Sequence, residues 1–224
     1  MIEALIENSL LGTASEAAIK ELAELVTVRS FKAEGEIVFE GDVAGDVFLI
    51  LDGSVHLHAI SKFGKVVSYA RLTKGSYFGE LSVFDDQARP YAASAETECQ
   101  LGVIDGGEFR RLVLAYPEIG LSIIQKLAAD VRASNDRIFS LTLLNGTGRV
   151  CMEILNLSEP DPARLDAVRV FPFPTQQDLS ERVGVARETV ARTLKKLTEE
   201  TVIERKGRVL WIRDIDRLEA MVAK

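Results

Sequence analysis

The chain has 224 residues, of which 47% are hydrophobic and 27% are charged, and its formal net charge is −7. This length allows one large or two modest domains with a real hydrophobic core, and no apolar run reaches the roughly 18 residues that span a bilayer. Residues 1–18 contain no basic segment, so we expect no signal peptide. Cys99 and Cys151 are too few and too far apart for a disulfide framework, which predicts a reducing, cytoplasmic location.

The N-terminal half predicts one helix followed by many short strands. Residues 13–16, Thr-Ala-Ser-Glu, have the form of a capping box, which predicts a helix from there to about Val26. From Phe31 to about Asp105, short runs of alternating apolar residues, such as EIVFE and SVHLHAI, are separated by glycines. Short strands with glycine turns at near-even spacing predict a β-sandwich or jelly roll.

The segment SYFGELSVFDDQARPYAA, residues 76–93, is the candidate ligand-binding segment. Gly79 predicts a tight turn into a short helix that begins near Glu80, and free N–H groups at a helix start can hold a phosphate. Arg89 follows after a short loop, and its guanidinium can neutralise an anion bidentately. We therefore predict a site for a small anionic effector. The alternative is a plain surface salt bridge between Glu80 and Arg89.

The pattern from about Pro117 to Leu144 predicts one long helix. Seven residues at alternating spacings of three and four would form a heptad seam: Leu121, Ile124, Ala128, Val131, Asn135, Ile138 and Thr142. Charged residues flank both sides of this stripe, which favours a dimer seam over a helix that packs only on its own domain. Residues 145–148, Asn-Gly-Thr-Gly, would then break the helix and act as a hinge.

Residues 177–196 predict two short helices joined by a turn at Gly184, which is the layout of a helix-turn-helix. In such a motif the second helix enters the DNA major groove. Arg187, Glu188 and Arg192 lie near the start of that helix on its polar side, where arginine can bond guanine and glutamate can bond cytosine. The alternative is an ordinary amphipathic helix pair with solvated charges.

Further residues that could contact the DNA backbone surround this motif, although the whole chain is acidic. Thr175 and Lys195 are placed to hold phosphates. Such contacts would fix the register of the protein on the DNA without reading the base sequence. Residues 201–213, TVIERKGRVLWIR, predict two short strands around Lys206-Gly207. A basic hairpin after a helix-turn-helix is typical of a wing that contacts the DNA backbone.

Two segments carry a resemblance to a known family. Residues 183–197, VGVARETVARTLKKL, resemble the recognition region of the CRP/FNR (catabolite activator-like) family of transcription regulators, and residues 34–57 resemble its cyclic-nucleotide-binding domain. The resemblance extends over nearly the whole chain. It implies a homodimer on an inverted repeat of TGTGA-like half-sites, with Arg187, Glu188 and Arg192 at the base-reading positions and RNA polymerase as a partner.

The same resemblance assigns the candidate ligand-binding segment to the family's phosphate-binding cassette. Glu80 maps to the ribose position and Arg89 to the phosphate position, with Gly79 and Leu81 beside them. The implied effector is cyclic AMP or cyclic GMP, and no covalent cofactor is expected. Pro90 departs from the pattern, because the family often has Ser, Thr or Ala there and proline lacks the backbone N–H that helps to hold the phosphate.

Three further departures concern the long helix and the DNA-binding motif. Ser134 and Asn135 stand where cyclic-AMP-responsive members have a Thr-Ser pair that meets the adenine from both subunits. Ala186 replaces a usual serine and loses a helix cap of typically ~1 kcal/mol. Gln176 stands where some members carry arginine, so one predicted phosphate contact is weaker. Ser134 and Asn135 are both polar, so they could still form hydrogen bonds with the base of a nucleotide.

Several alternatives stay open at this point. His56 and His58 share one face of a strand, like the metal pair of a cupin enzyme, but Lys62 and Phe63 stand where a cupin usually supplies Glu, and the chain has no third histidine. Two cysteines cannot ligate a [4Fe–4S] cluster, which argues against FNR-type oxygen sensing. A constitutive or other-effector regulator with a vestigial pocket, and a β-roll module of the kinase-regulatory or channel type, are the remaining candidates.

We predict an α+β fold with an N-terminal cyclic-nucleotide-binding-like β-roll (jelly roll), a long dimerisation helix and a C-terminal winged helix-turn-helix. The predicted boundaries are residues 1–116, 117–145 and 146–224. The predicted function is sequence-specific transcription regulation by a homodimer that binds double-stranded DNA. The protein is not expected to be an enzyme or to bind a membrane.

Overall fold

The computed structural model describes residues 8–43, 45–61, 66–164 and 167–222. The chain divides into two compact units, Met1–Val131 and Arg132–Lys224. This division falls within a single long helix, and the three-part division at residues 116 and 145 stays a prediction.

Within the described residues the first helix is α1 (Glu16–Leu25), and its N-cap lies two residues later than the predicted Thr13. Ser15 is the N-cap, and its hydroxyl oxygen accepts a hydrogen bond from the backbone N–H of Ala18. The prediction that the box starts at Thr13 is wrong, because the Thr13 hydroxyl lies instead 3.3 Å from the hydroxyl of Ser122.

Eight strands form two four-stranded antiparallel sheets, which confirms the predicted β-roll. The strands are β1 (Thr27–Phe31), β2 (Glu36–Val38), β3 (Asp46–Asp52), β4 (Ser54–Ile60), β5 (Val66–Thr73), β6 (Tyr77–Phe78), β7 (Ala92–Ala95) and β8 (Cys99–Asp105). One sheet has the order β1-β8-β3-β6 and the other has the order β2-β7-β4-β5. The short helix α2 (Glu80–Asp85) connects β6 to the loop before β7.

Strand β3 is buried on both faces, which explains its uninterrupted apolar sequence VFLIL. Phe48 and Ile50 belong to the core cluster of the β-roll, together with residues of β4, β7 and β8. The alternate residues Leu49 and Leu51 belong to a second cluster, formed with α1 and with the helices α3 (Gly106–Ala115) and α4 (Pro117–Leu143). This packing holds the N-terminal half of α4 within the first unit, close to the candidate cassette.

Helix α4 is 27 residues long and has two apolar faces. Ile119 and Ile123 are buried in the second core cluster, and Leu127 packs against it. The seven predicted seam residues are all exposed: Leu121, Ile124, Ala128, Val131, Asn135, Ile138 and Thr142. An exposed apolar stripe on a helix is typical of an interaction surface, and this favours the predicted dimer seam.

Within the described residues, no single helix is long and apolar enough to cross a membrane. The helices α3 and α4 meet the length and composition criterion only as a pair, and they are bent by 109° at their junction.

The second unit forms the predicted winged helix-turn-helix. Its elements are α5 (Gly146–Asn156), β9 (Glu159–Pro160), β10 (Val168–Val170), α6 (Gln176–Val183), α7 (Arg187–Glu199), β11 (Ile203–Lys206), β12 (Val209–Ile212) and α8 (Ile215–Val222). The four strands form one antiparallel sheet in the order β11-β12-β10-β9. Gly184 ends α6 with φ = 65°, a left-handed conformation that glycine adopts without steric cost.

The predicted hinge at residues 145–148 is shorter than expected. Asn145 caps α5 by accepting a hydrogen bond from the backbone N–H of Gly148, so Gly146 and Gly148 already lie within that helix. A Cβ at Gly148 would lie 2.6 Å from the carbonyl oxygen of Val222. The glycine is therefore required for close packing of α5 against α8, and the break in the helix is limited to Leu144 and Asn145.

Candidate functional site

Gly79 controls the entry into the candidate cassette. It joins β6 to α2 with φ = 94°, and a Cβ at this position would lie 2.7 Å from both Arg89 Nη1 and the carbonyl oxygen of Asp46. Only glycine avoids both the strained backbone and the two clashes. The tight turn into a short helix, predicted from sequence, is present at this point.

Arg89 is held inside the β-roll unit by backbone carbonyl groups. Its side chain is buried, Nη1 donates to the carbonyl oxygen of Gly79 at 2.8 Å, and Nη2 donates to that of Asp46 at 2.6 Å. The guanidinium lies 5.7 Å from the centre of the Phe48 ring. Burial lowers the pKa of Arg89, and the nearby Asp46 carboxylate opposes this shift. Since a guanidinium has five N–H donors, donors remain for a bound anion.

Glu80 is the first residue of α2, and its side chain is only 1% exposed. One carboxylate oxygen, Oε1, accepts a hydrogen bond from Lys126 Nζ of α4 at 2.8 Å. The other oxygen, Oε2, is buried and has no hydrogen-bond partner in the described part of the chain. The alternative of a surface salt bridge between Glu80 and Arg89 is wrong, because both side chains are buried and Glu80 pairs with Lys126.

The remaining predicted effector residues differ in exposure. Leu81 is partly buried next to Glu80, and Pro90 is exposed directly after Arg89. Ser134 and Asn135 are exposed on α4 within the second compact unit, whereas the cassette lies in the first. Their contact with an effector therefore stays a prediction.

A cavity of about 430 Å³ opens beside Arg89. Its lining comes from β1, β2, β3, the loop before β3 and the loop between α2 and β7: Arg29, Phe31, Ile37, Val38, Asp42, Val43, Gly45, Asp46, Phe48 and Arg89. The volume is within the range of about 300–1,000 Å³ that is usual for small-molecule sites. Of the five predicted cassette residues, only Arg89 belongs to this lining.

Lys126 is a residue of this site that sequence reasoning missed. It is one of the charged residues that flank the predicted seam, and its ammonium group contacts Glu80, Asp130 and the ring of Tyr77. Burial lowers its pKa, but the Glu80 charge and the two hydrogen bonds more than offset this, and the net effect raises the pKa of Lys126. A usable signal was its spacing of three residues from Ile123, which places it on the buried side of α4.

The two histidines do not form a metal site with other residues that the structure describes. Their rings lie 5.0 Å apart on β4, and His56 Nε2 is 3.0 Å from the hydroxyl of Ser68. Within the described ranges, no group of three or more His, Cys, Asp or Glu side chains could hold a metal ion. Lys62 and Phe63 lie outside the described residues.

Helix α7 presents the three predicted base-reading residues to solvent. Arg187, Glu188 and Arg192 are exposed, and among the described residues none of them forms an ion pair. Val190 and Leu197 are buried on the opposite side of the helix, which fixes its orientation on the core of the second unit. Unpaired guanidinium and carboxylate groups at a helix start are available to base edges.

Two of the predicted phosphate-binding residues, Thr175 and Lys195, already interact with side chains of the same chain. Thr175 caps α6 in a capping box, and its hydroxyl donates to Asp178 Oδ2 at 2.7 Å. Gln176 is partly buried as the first residue of α6. Lys195 is exposed on α7 and lies 3.7 Å from Glu199 across one helical turn. Lys195 keeps the freedom to reach a phosphate, because exposed pairs of this kind contribute little.

The wing is a hairpin of β11 and β12 that turns at Gly207, where φ = 62°. Arg205, Lys206 and Arg208 are exposed around this turn. Arg205 also lies over the ring of Phe173, at 5.1 Å from its centre. The hairpin therefore carries a cluster of positive charge, as expected for a backbone contact.

Comparison with known proteins agrees with both halves of this description. A family model of the cyclic nucleotide-binding domain matches residues 28–116, and a model of the Crp-like helix-turn-helix domain matches residues 148–221. The chain is similar to the cAMP-activated global transcriptional regulator CRP of Salmonella typhimurium, with 27% identity over 186 residues, which are 83% of this chain and 89% of that protein.

Two further relatives have comparable coverage. The cAMP-activated global transcriptional regulator Vfr of Pseudomonas aeruginosa is 29% identical over 188 residues, which are 82% of this chain and 88% of Vfr. The solved structure of CLP, a c-di-GMP responsive global regulator of Xanthomonas campestris, is similar with a TM-score of 0.70 and 22% identity, over 88% of this chain and 99% of CLP. The likeness to CLP shows the fold.

Proposed function

Because this chain belongs to the CRP/FNR family of transcription regulators, we propose that it acts as a homodimer that binds an inverted DNA repeat under the control of a cyclic nucleotide. Members of this family are regulators and not enzymes, so the metal-dependent jelly-roll enzyme is excluded. The cyclic nucleotide-binding and helix-turn-helix domains also exclude an isolated β-roll module of the kinase-regulatory or channel type.

The observation that carries the DNA-binding proposal is the exposure of Arg187, Glu188 and Arg192 on α7, where none of them forms an ion pair with another residue that the structure describes. The proposed target has TGTGA-like half-sites, in which arginine bonds guanine and glutamate bonds cytosine. A two-fold dimer presents two such helices to half-sites about 34–36 Å apart. RNA polymerase is the proposed protein partner, on the basis of the family.

The exposed seam of α4 supports the homodimer. Its apolar residues, including Ile124 and Ile138, are exposed, whereas Ile119 and Ile123 of the same helix are buried in the core of the first unit. A self-complementary helix pair buries this stripe in both subunits at once. Asn135 within the seam would set the register of the pair.

The effector proposal depends on the buried cassette. Arg89 has donors left for a phosphate, and Glu80 has a free carboxylate oxygen for a ribose hydroxyl. We propose cyclic AMP or cyclic GMP as the effector, with Ser134 and Asn135 near the base. An effector in this cassette would act on α4 and on the break at Leu144 and Asn145, and so on the two recognition helices.

A different effector is the second candidate, and one observation favours it. Pro90 follows Arg89 without a backbone N–H to donate to the phosphate, and the loss of a hydrogen bond to a charged group costs about 1.5–3 kcal/mol. CLP, which has the same fold, is described as c-di-GMP responsive. Cyclic di-GMP therefore belongs in the test beside the two mononucleotides.

DNA binding is tested by fluorescence anisotropy with an inverted-repeat duplex, with and without each nucleotide. Arg187→Ala should lose about 1–3 kcal/mol on this site and relax the preference for one base pair. Lys195→Ala is the matched control, because it should weaken binding to all sequences alike and reduce the salt dependence. An Arg187→Ala variant with unchanged affinity and footprint would contradict the proposed docking.

Effector binding is tested by isothermal titration calorimetry with cyclic AMP, cyclic GMP and cyclic di-GMP. Arg89→Ala should abolish the binding of a mononucleotide, whereas Arg111→Ala, which removes an exposed arginine of the same unit, should not. No heat with either mononucleotide in the unsubstituted protein overturns the cyclic mononucleotide proposal. Heat with cyclic di-GMP alone would identify the second candidate.

A further inference from the structure

Three contacts fix the ammonium group of Lys126 beside the cassette. Nζ donates to Glu80 Oε1 at 2.8 Å and to Asp130 Oδ2 at 2.9 Å, and it lies 5.2 Å from the centre of the Tyr77 ring. Asp130 and Lys126 are one turn apart on α4, while Tyr77 and Glu80 flank the turn at Gly79. The cassette and the long helix are therefore joined through one charged side chain.

The same cluster contains two polar atoms without partners. Glu80 Oε2 and the hydroxyl of Tyr77 are buried, and in the part of the chain that the structure describes neither has a hydrogen bond. A buried polar atom without a partner is unfavourable and is rare in folded proteins. One of the two is a carboxylate acceptor and the other can donate or accept, so together they suit a hydroxyl group.

We propose that Lys126 is a positioning residue of the effector site. It holds the Glu80 carboxylate by Oε1, and this leaves Oε2 to accept a hydrogen bond from a hydroxyl group of the effector. This inference rests on the proposed binding of a ribonucleotide at the cassette, and it adds a role for a residue of α4. Lys126 acts through Glu80 and does not itself contact the effector.

The competing explanation is that the Lys126–Glu80 pair only stabilises the fold. Removal of one partner from a buried ion pair is strongly destabilising in general, so a loss of affinity alone does not separate the two. The two explanations differ for a ligand that lacks the hydroxyl group. A structural role affects both ligands alike, whereas a positioning role affects only the ligand whose hydroxyl group meets Oε2.

The experiment compares the cyclic mononucleotide that binds the unsubstituted protein with its 2′-deoxy analogue by calorimetry. The unsubstituted protein should prefer the ribonucleotide by roughly 10- to 150-fold, as expected for a hydrogen bond to a charged group. In Lys126→Met this ratio should fall to within about threefold, while Lys126→Arg, which keeps the charge, should recover most of it. Lys20→Met, at an exposed lysine of α1, should leave the ratio unchanged.

Each outcome bears on a definite claim. An unchanged ratio in Lys126→Met, with both affinities reduced by the same factor, overturns the positioning role and leaves the proposed function intact. Failure of the unsubstituted protein to bind either mononucleotide overturns both. Lys126→Ala also removes the donor and the charge, so it takes the place of Lys126→Met should that variant fail to fold, and the same ratio is measured.

Discussion

Replacement of one seam residue tests the dimer directly. In the single chain Ile124 is 63% exposed on α4, whereas the adjacent Ile123 is buried. Burial of a whole isoleucine side chain contributes about 1.5–3 kcal/mol, so burial of this exposed part in a helix pair contributes about 1–2 kcal/mol. Ile124→Ala should remove most of that contribution.

The two-fold symmetry of the dimer doubles the effect. Each substitution occurs twice in the interface, so Ile124→Ala should cost about 2–4 kcal/mol per dimer. At 1.4 kcal/mol for each factor of ten, the dissociation constant should rise about 30- to 700-fold. Alanine is the best helix former, so the helix itself should not be weakened.

Sedimentation equilibrium over a series of protein concentrations measures this change. Leu114→Ala is the matched control, because Leu114 is 80% exposed on α3 and is outside the seam. The control should leave the dissociation constant unchanged. An unsubstituted protein that is monomeric at micromolar concentration, or equal effects of the two substitutions, would contradict a dimer formed through this seam.

Three further substitutions test local features. Ala186→Ser should stabilise the second unit by about 1 kcal/mol in urea denaturation, because α7 has no side-chain cap, and an unchanged midpoint would count against this. Gly79→Ala should lower the melting temperature more than Gly41→Ala. Both glycines have positive φ, but of the two only Gly79 has backbone and side-chain atoms within 3 Å of the added Cβ. Equal shifts would show that backbone strain, and not the steric clash, determines the loss of stability. A backbone N–H and the indole N–H of Trp211 hold the pKa of Asp161 below its usual range. The stability that this carboxylate contributes is therefore present above its unfolded-state pKa and is lost as the pH falls through the lowered folded-state pKa. The fluorescence of Trp211, the one tryptophan of the chain, should change in acid only below pH ~4, and Asp161→Asn should abolish that step; persistence of the step in Asp161→Asn would assign it to another group.

Sequence periodicity was sufficient for the main elements and for the residues that face solvent. The spacing of Leu121, Ile124 and Val131 indicated one stripe of α4, and all three are exposed. The pattern around Gly184 and Arg187 likewise indicated two helices and the outer side of the second. These features depend on local propensity and on the division into apolar and polar faces, both of which neighbouring residues encode.

Contacts between residues far apart in the chain could not be read in this way. The sequence pattern favoured Thr13 as the cap because Glu16 stands three residues after it. The cap is instead Ser15, whose hydroxyl also donates to Glu118 Oε1 of α4, more than one hundred residues away. The role of Gly148 depends on the approach of Val222, which is more than seventy residues away.

In the candidate effector site, too, some residues were identifiable from the local sequence, whereas their partners depended on tertiary packing. Glu80 and Arg89 were identifiable from a short segment, because a glycine turn, a carboxylate and a guanidinium lie within a few residues of one another. That Arg89 bonds to the Asp46 carbonyl, and that Lys126 rather than Arg89 neutralises Glu80, depends on how β3 and α4 pack around α2. A buried charge is unfavourable unless it is paired or hydrogen-bonded, so each of these groups interacts with a neighbour. Which group is its neighbour depends on how distant segments pack in the folded chain.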